Sequence, residues 1–107
     1  LEYRTLYITS RDEAEARRIG LTLVKEELAA CVNYFPIQSI YRWQGRVEES
    51  AELALLVKTR KSLVGKAIER VKALHSYDVP CIEVWAIDGG YPPYLQWITD
   101  STKQEQT

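Results

Sequence analysis

The chain is poor in the residues that most directly signal chemistry. Among 107 residues there is one histidine, His75, and there are two cysteines, Cys31 and Cys81. Neither cysteine belongs to a CxxC pair or a Cys/His cluster, so zinc-finger and thioredoxin readings have no basis. The simplest expectation is that both are small buried apolar residues without a disulfide. An excess of one charge is also missing. Fourteen basic residues face fifteen acidic ones, net −1, with the signs interspersed. Nucleic acid and anionic membranes, which are bound by clustered Lys and Arg, are therefore not expected partners. Leu53 to Val57 is the longest apolar run worth considering, strand-length and far below the roughly 18 residues of a spanning helix. The first residues show no secretory apolar region, and the expected location is cytoplasmic. G-x-S-x-G, P-loop and HExxH motifs are absent too, and with them the corresponding hydrolase and nucleotide chemistries.

What is present suits a folded domain. Apolar residues make up 46% and charged residues 27%, enough apolar content to rule out disorder of the bulk. At this length one core and one domain spanning residues 1–107 are expected. The polar stretch 101–107 is expected to fray.

Leu6, Tyr7 and Ile8 between two threonines predict a first strand. Ser10 or Asp12 offers an N-cap for a helix over residues 12–28, whose apolar face carries Ala16, Ile19, Leu23, Val24 and Leu28. Residues 30–41 predict a long strand, and Pro36 within it requires a bend, a bulge or an edge position. Gln44-Gly45 turns the chain into a return strand that becomes strongly apolar from Leu53 to Val57. Ser62 offers a second cap, followed by Val64, Ala67, Ile68, Val71 and Leu74 at helical spacing. Residues 75–78 form a loop, and Val79 before Pro80 is biased away from helix. A last main strand runs through Cys81, Ile82, Val84, Trp85 and Ile87. Pro92-Pro93 then opens a terminal helix through Leu95, Trp97 and Ile98.

The order β-α-β-β-α-β, plus a terminal helix, predicts an α/β (α+β) ferredoxin-like plait, an antiparallel sheet with two helices on one face. Two features of that plan call for a partner. The second strand is an edge carrying Tyr34, Phe35, Ile37 and Ile40, and exposed edges are either protected or used for pairing. The third strand is apolar on both faces in its later half, and such a strand needs both faces covered. An oligomer of identical chains supplies both covers.

Several stretches resemble the CutA divalent-cation-tolerance family in order and spacing: Ala29-Ala30-Cys31-Val32-Asn33; Ser39-Ile40-Tyr41-Arg42-Trp43-Gln44-Gly45-Arg46-Val47; Glu52 followed by Leu56-Val57-Lys58-Thr59; His75-Ser76-Tyr77-Asp78-Val79-Pro80; and Tyr94-Leu95-Gln96-Trp97. The resemblance covers almost the whole chain, and the Ser-Ile-Tyr-Arg-Trp-Gln-Gly stretch is its most specific part. It implies a homotrimer similar in architecture to the PII-like signalling proteins, a role in tolerance of divalent metals, notably copper, and no enzymatic activity. The chain also departs from the pattern. Many relatives read His-Pro-Tyr-Glu-(Val/Leu)-Pro-Glu where this one has His75 to Cys81, so a thiol replaces the acid after the proline. Some carry a cysteine in the first strand, at the position of Ile8, and a second histidine at the position of Leu74.

Candidate residues follow in two groups. His75, with Asp78 and Cys81 close in sequence, is the candidate ligand set for copper(II) or another divalent ion. One histidine alone makes a poor site, and its bland alternative is a cap on the C-terminus of the second helix. Tyr41, Arg42 and Trp43 at the hairpin, with Glu52, Lys58, Tyr77 and Trp97, are candidates for a ligand cleft between subunits or for interface anchors. Two further functions stay in view. A PII-like sensor would bind a small anion at such clefts. A small hydrolase of the acylphosphatase type would use Arg42 and Asn33 to cradle an anion, though no glycine-rich loop lies near them.

Overall fold

The structure is a computed structural model that describes residues 1–103. Its elements are β1 (Tyr3–Ser10), α1 (Glu13–Lys25), β2 (Cys31–Trp43), β3 (Arg46–Arg60), α2 (Val64–Leu74), β4 (Ile82–Ile87) and α3 (Pro92–Asp100). The four strands form one antiparallel sheet in the order β2-β3-β1-β4. That is the expected ferredoxin-like plait, with β2 and β4 at opposite edges. Cys31 and Cys81 are both free and only partly buried.

Side chains alternate across the sheet. One face presents Leu6 and Ile8 from β1 and Leu55 and Val57 from β3 to Ala16, Ile19 and Leu23 of α1 and to Ala67 and Val71 of α2. All nine are fully buried. Helix α1 lies close to β2, since a Cβ at Gly20 would sit 3.1 Å from Val32 Cγ1. Pro36 is tolerated because β2 is an edge strand, and its pairing continues unbroken through Pro36 and Leu53. The hairpin closes on Gln44 and Gly45, both at positive φ, 51° and 78°, as a two-residue type I′ turn demands.

The second face is not bare. Helix α3 covers one end of it, where Ile98 and Leu95 pack on Tyr3, Ala30 and Ile87. The Tyr3 hydroxyl lies 2.6 Å from Thr99 Oγ1, and Arg60 Nε donates to Thr102 Oγ1 at 2.9 Å. The stretch expected to fray from residue 101 is therefore partly docked. Thr102 is buried, and the Lys103 amide donates to the Glu27 carbonyl at 2.7 Å. Residues 104–107 lie outside the described residues.

Two helix ends differ from the sequence reading. Helix α1 stops at Lys25 rather than at residue 28, in a Schellman arrangement: the Leu28 amide donates to Leu23 O and the Glu27 amide to Val24 O. Glu27 takes the left-handed position at φ 59° that glycine usually fills, so the stop carries no glycine signal. Ser62 does not cap α2. It lies in a short 3-10 turn, Lys61–Leu63, and α2 starts without any side-chain cap.

Candidate functional site

The second face of the sheet holds a cleft of about 820 Å³ at the end away from α3. Its floor comes from Tyr7 and Thr9 on β1, Glu52 on β3 and the Ile37–Tyr41 stretch of β2, and the loop at residues 76–79, with Cys81, forms its wall. Pairing of Ile37 with Glu52 and of Thr9 with Ala54 puts these side chains on one face.

The loop is held by a residue that the sequence reading passed over. Glu15 has a fully buried side chain, and it accepts hydrogen bonds from the Arg11 amide at 2.9 Å and from the Ser76 amide at 2.9 Å. Burial pushes its carboxyl up, but the hydrogen bonds from Arg11 and Ser76 outweigh that and hold it below its ordinary value. The available signal was the Asp12-x-x-Glu15 spacing of a capping box. Asp12 is the N-cap, accepting from the Glu15 amide at 2.9 Å.

His75 is the second fastener. Its Nε2 lies 2.7 Å from the Thr9 carbonyl, and its Nδ1 accepts from the Tyr77 amide at 3.1 Å. A carbonyl accepts and an amide donates, so the ring proton is on Nε2 and both nitrogens are engaged. His75 is the residue that ends α2, as expected of a cap, but its ring reaches across to β1 instead of back to its own helix. The Leu74 carbonyl is met by Arg18 from α1, at 3.0 Å.

Tyr77, so positioned, donates from its hydroxyl to Glu52 Oε2 at 2.6 Å. Burial and then the Glu52 carboxylate push the Tyr77 phenol well above its ordinary value, so it stays a donor. Glu52 is only 7% exposed. Tyr41 leans back along the hairpin, where its hydroxyl accepts from Ser50 Oγ at 3.4 Å, close enough to act electrostatically on Tyr77. Beside them Tyr7 stacks on Trp85 with centroids 5.1 Å apart. Burial, and next the Glu83 carboxylate, push the Cys81 thiol up.

The structure divides the candidate residues. Tyr41, Trp43, Glu52, Tyr77, Asp78 and Cys81 line the one cleft. Arg42 points to the opposite face from Tyr41 and Trp43 by alternation, and its Nη1 donates to Gly45 O at 3.4 Å. Lys58 lies six residues along β3 from Glu52, about 20 Å at strand rise, and its amine contacts Asn33 Oδ1. Trp97 stacks on Tyr94 within α3. Asn33 and Arg42, nine residues apart on β2, fall on opposite faces and do not form a shared anion cradle. Among the described residues no group of three or more His, Cys, Asp or Glu is placed to hold a metal ion. Likewise no described helix is long and apolar enough to cross a membrane.

Comparison with known proteins agrees with this fold. Residues 4–101 match the family described as CutA1 divalent ion tolerance protein. The chain is 52% identical over 96 residues to the divalent-cation tolerance protein CutA of Thermus thermophilus, covering 89% of this chain and 93% of that one. It is 42% identical over 98 residues to its namesake in Archaeoglobus fulgidus, covering 92% and 96%. The crystal structure of CutA1 from Oryza sativa superposes with a TM-score of 0.95 at 40% identity, covering 98% of this chain and 97% of that chain. The full rice relative called chloroplastic is longer, and the chain spans 56% of it. The Archaeoglobus structure is called periplasmic. The Thermus and Archaeoglobus names describe tolerance, and none of these names states a reaction. With a match over nearly its whole length and a superposable fold, this chain belongs to the CutA1 divalent ion tolerance protein family.

Proposed function

We propose that this chain acts in tolerance of divalent metal ions, copper foremost, as a homotrimer in the cytoplasm. Family membership supports the tolerance role. The observation that carries the assembly is the outer hairpin, where Ile40 is 73% and Val47 63% exposed on a two-stranded ribbon with an open β2 edge. Exposed apolar edges of this kind are pairing surfaces. Metal contact on this reading involves Asp78 and Cys81 with donors from a neighbouring subunit, because His75 has both ring nitrogens engaged within its own chain and a copper or zinc site takes several donors.

The test is a Cu(II) titration of the purified protein, with thermal stability and oligomer mass read together. A saturable rise in stability on an intact trimer, reduced in Asp78→Asn and Cys81→Ser and unchanged in Val84→Thr on β4, supports direct metal binding. A trimer whose stability no divalent ion changes would make the tolerance role indirect. A stable monomer at micromolar concentration would overturn the assembly.

A further inference from the structure

Within one subunit the cleft has a chemical character that neither a bare metal ion nor an anion fits. Its lining among the described residues includes two carboxylates, Glu52 and Asp78, and no Lys, Arg or His. An anion there would meet negative charge and no basic partner. A bare divalent ion needs several oxygen, nitrogen or sulfur donors converging on one point, and the described residues of one subunit supply no such group of acidic, thiol or imidazole side chains by themselves. An organic cation asks for less: one carboxylate as counter-ion, and an aromatic face against which the charge can rest.

Both are present. Glu52 is more than nine-tenths buried, and its Oε2 accepts from Tyr77. Its Oε1 accepts no hydrogen bond from a described residue. No fully buried side-chain oxygen among the described residues lacks a partner, so Oε1 opens to the cleft rather than into the core. Tyr41 lines the same cleft, with its hydroxyl drawn back to Ser50, and keeps 43% of its surface exposed, leaving ring area for a ligand. The cleft volume of about 820 Å³ is within the range of small-molecule sites, roughly 300–1,000 Å³.

We propose that this cleft binds a small organic cation, a primary ammonium or guanidinium group, with Glu52 Oε1 as its counter-ion and the ring of Tyr41 as its wall. Tyr77, held by the His75 and Ser76 contacts, fixes the Glu52 carboxylate so that one oxygen is committed and the other free. Binding of this kind does not depend on the metal role. It reverses the sign of the ligand that a PII-like cleft would take.

The test titrates the full chain, in its native oligomeric state and at constant ionic strength, with n-butylammonium, methylguanidinium and, as matched anion, butyrate. Heat of binding, thermal stability and oligomer mass are followed. The two cations saturate and stabilise, and butyrate does neither. Glu52→Gln, which keeps the shape and an acceptor for Tyr77, weakens cation binding about tenfold or more, the loss of one charge-assisted hydrogen bond. Tyr41→Leu, on the exposed ribbon where the core is untouched, weakens it about two- to fivefold. Absence of saturation, equal binding of butyrate, or full affinity in both variants would overturn the assignment. A fall in oligomer mass as the cation binds would overturn it as well, since the natural occupant would then be a basic side chain of a second copy.

Discussion

Strand β3 passes through two environments in fifteen residues. From Leu53 to Arg60 it is central in the sheet, paired with β1 throughout and with β2 as far as Lys58, with α1 and α2 against one face and α3 against part of the other. From Arg46 to Ala51 it pairs with β2 alone and nearly every side chain is exposed. The strand geometry is common to both halves. Only the inner half has its apolar side chains covered by its own chain. A two-stranded ribbon is at best marginally stable by itself, so the outer half gains little support from its own subunit and the inner half gains much.

Substitution at matched apolar positions gives the largest contrast. Leu55→Ala is expected to cost about 2–5 kcal/mol, the loss of buried contacts plus the cavity left behind. Val47→Ala, 63% exposed in the chain, is expected to stay within about 0.5 kcal/mol of the parent in subunit stability. Urea unfolding at several protein concentrations checks both, and a large, concentration-dependent effect of Val47→Ala would show that a partner covers the outer ribbon.

Amide exchange sharpens the same contrast. Amides of β1 and inner β3 are expected to exchange only on global opening, and those of residues 46–51 through local opening. Equal protection of both halves in a dilute sample would remove the distinction.

Next in size is the loop that frames the cleft. Glu15→Gln replaces a buried carboxylate that accepts from two backbone amides, and a loss of about 1–3 kcal/mol is expected in thermal or urea unfolding. The pH dependence has a definite sign. Because Glu15 is held below its ordinary 4.5 in the folded protein, its contribution is complete above that value and fades as pH falls through the lower folded value. Glu15→Gln should flatten that part of the acid limb, and an unchanged acid limb would count against the anchoring role.

The smallest contrast compares two candidate helix caps. Asp12→Ala removes a side-chain bond to the Glu15 amide and should cost about 1 kcal/mol. Ser62→Ala removes a hydroxyl that caps nothing and should change stability by less than about 0.5 kcal/mol. Equal effects of the two would contradict the observed helix starts.

Much of this fold was legible because it rests on period and punctuation. The spacing of Val64, Ala67, Ile68, Val71 and Leu74 marked α2, Gln44-Gly45 marked the hairpin turn, and Pro36 marked a bend, a bulge or an edge, of which the sheet order selects the edge. The helix ends were less legible. Glu27 takes the left-handed position without being glycine, and the end of α1 is settled by the Leu23 and Val24 carbonyls. The site was legible in part. Tyr41, Trp43, Glu52 and Tyr77 meet in one cleft as grouped from the sequence. Arg42, Lys58 and Trp97 fall elsewhere, because alternation and strand length separate them.

By itself the sequence determined the elements, their order and the kind of sheet they make, since local spacing of apolar, glycine and proline residues acts within a few positions along the chain. Tertiary structure alone decided what long-range contacts control: that Glu15 on α1 fastens the Ser76 loop, that His75 gives both ring nitrogens to the fold, that α3 covers one end of the second face, and that Glu52 turns one oxygen to a cleft whose lining has no basic residue among those described. Burial and hydrogen bonding between distant segments set those roles, and neither is written in the spacing of neighbours.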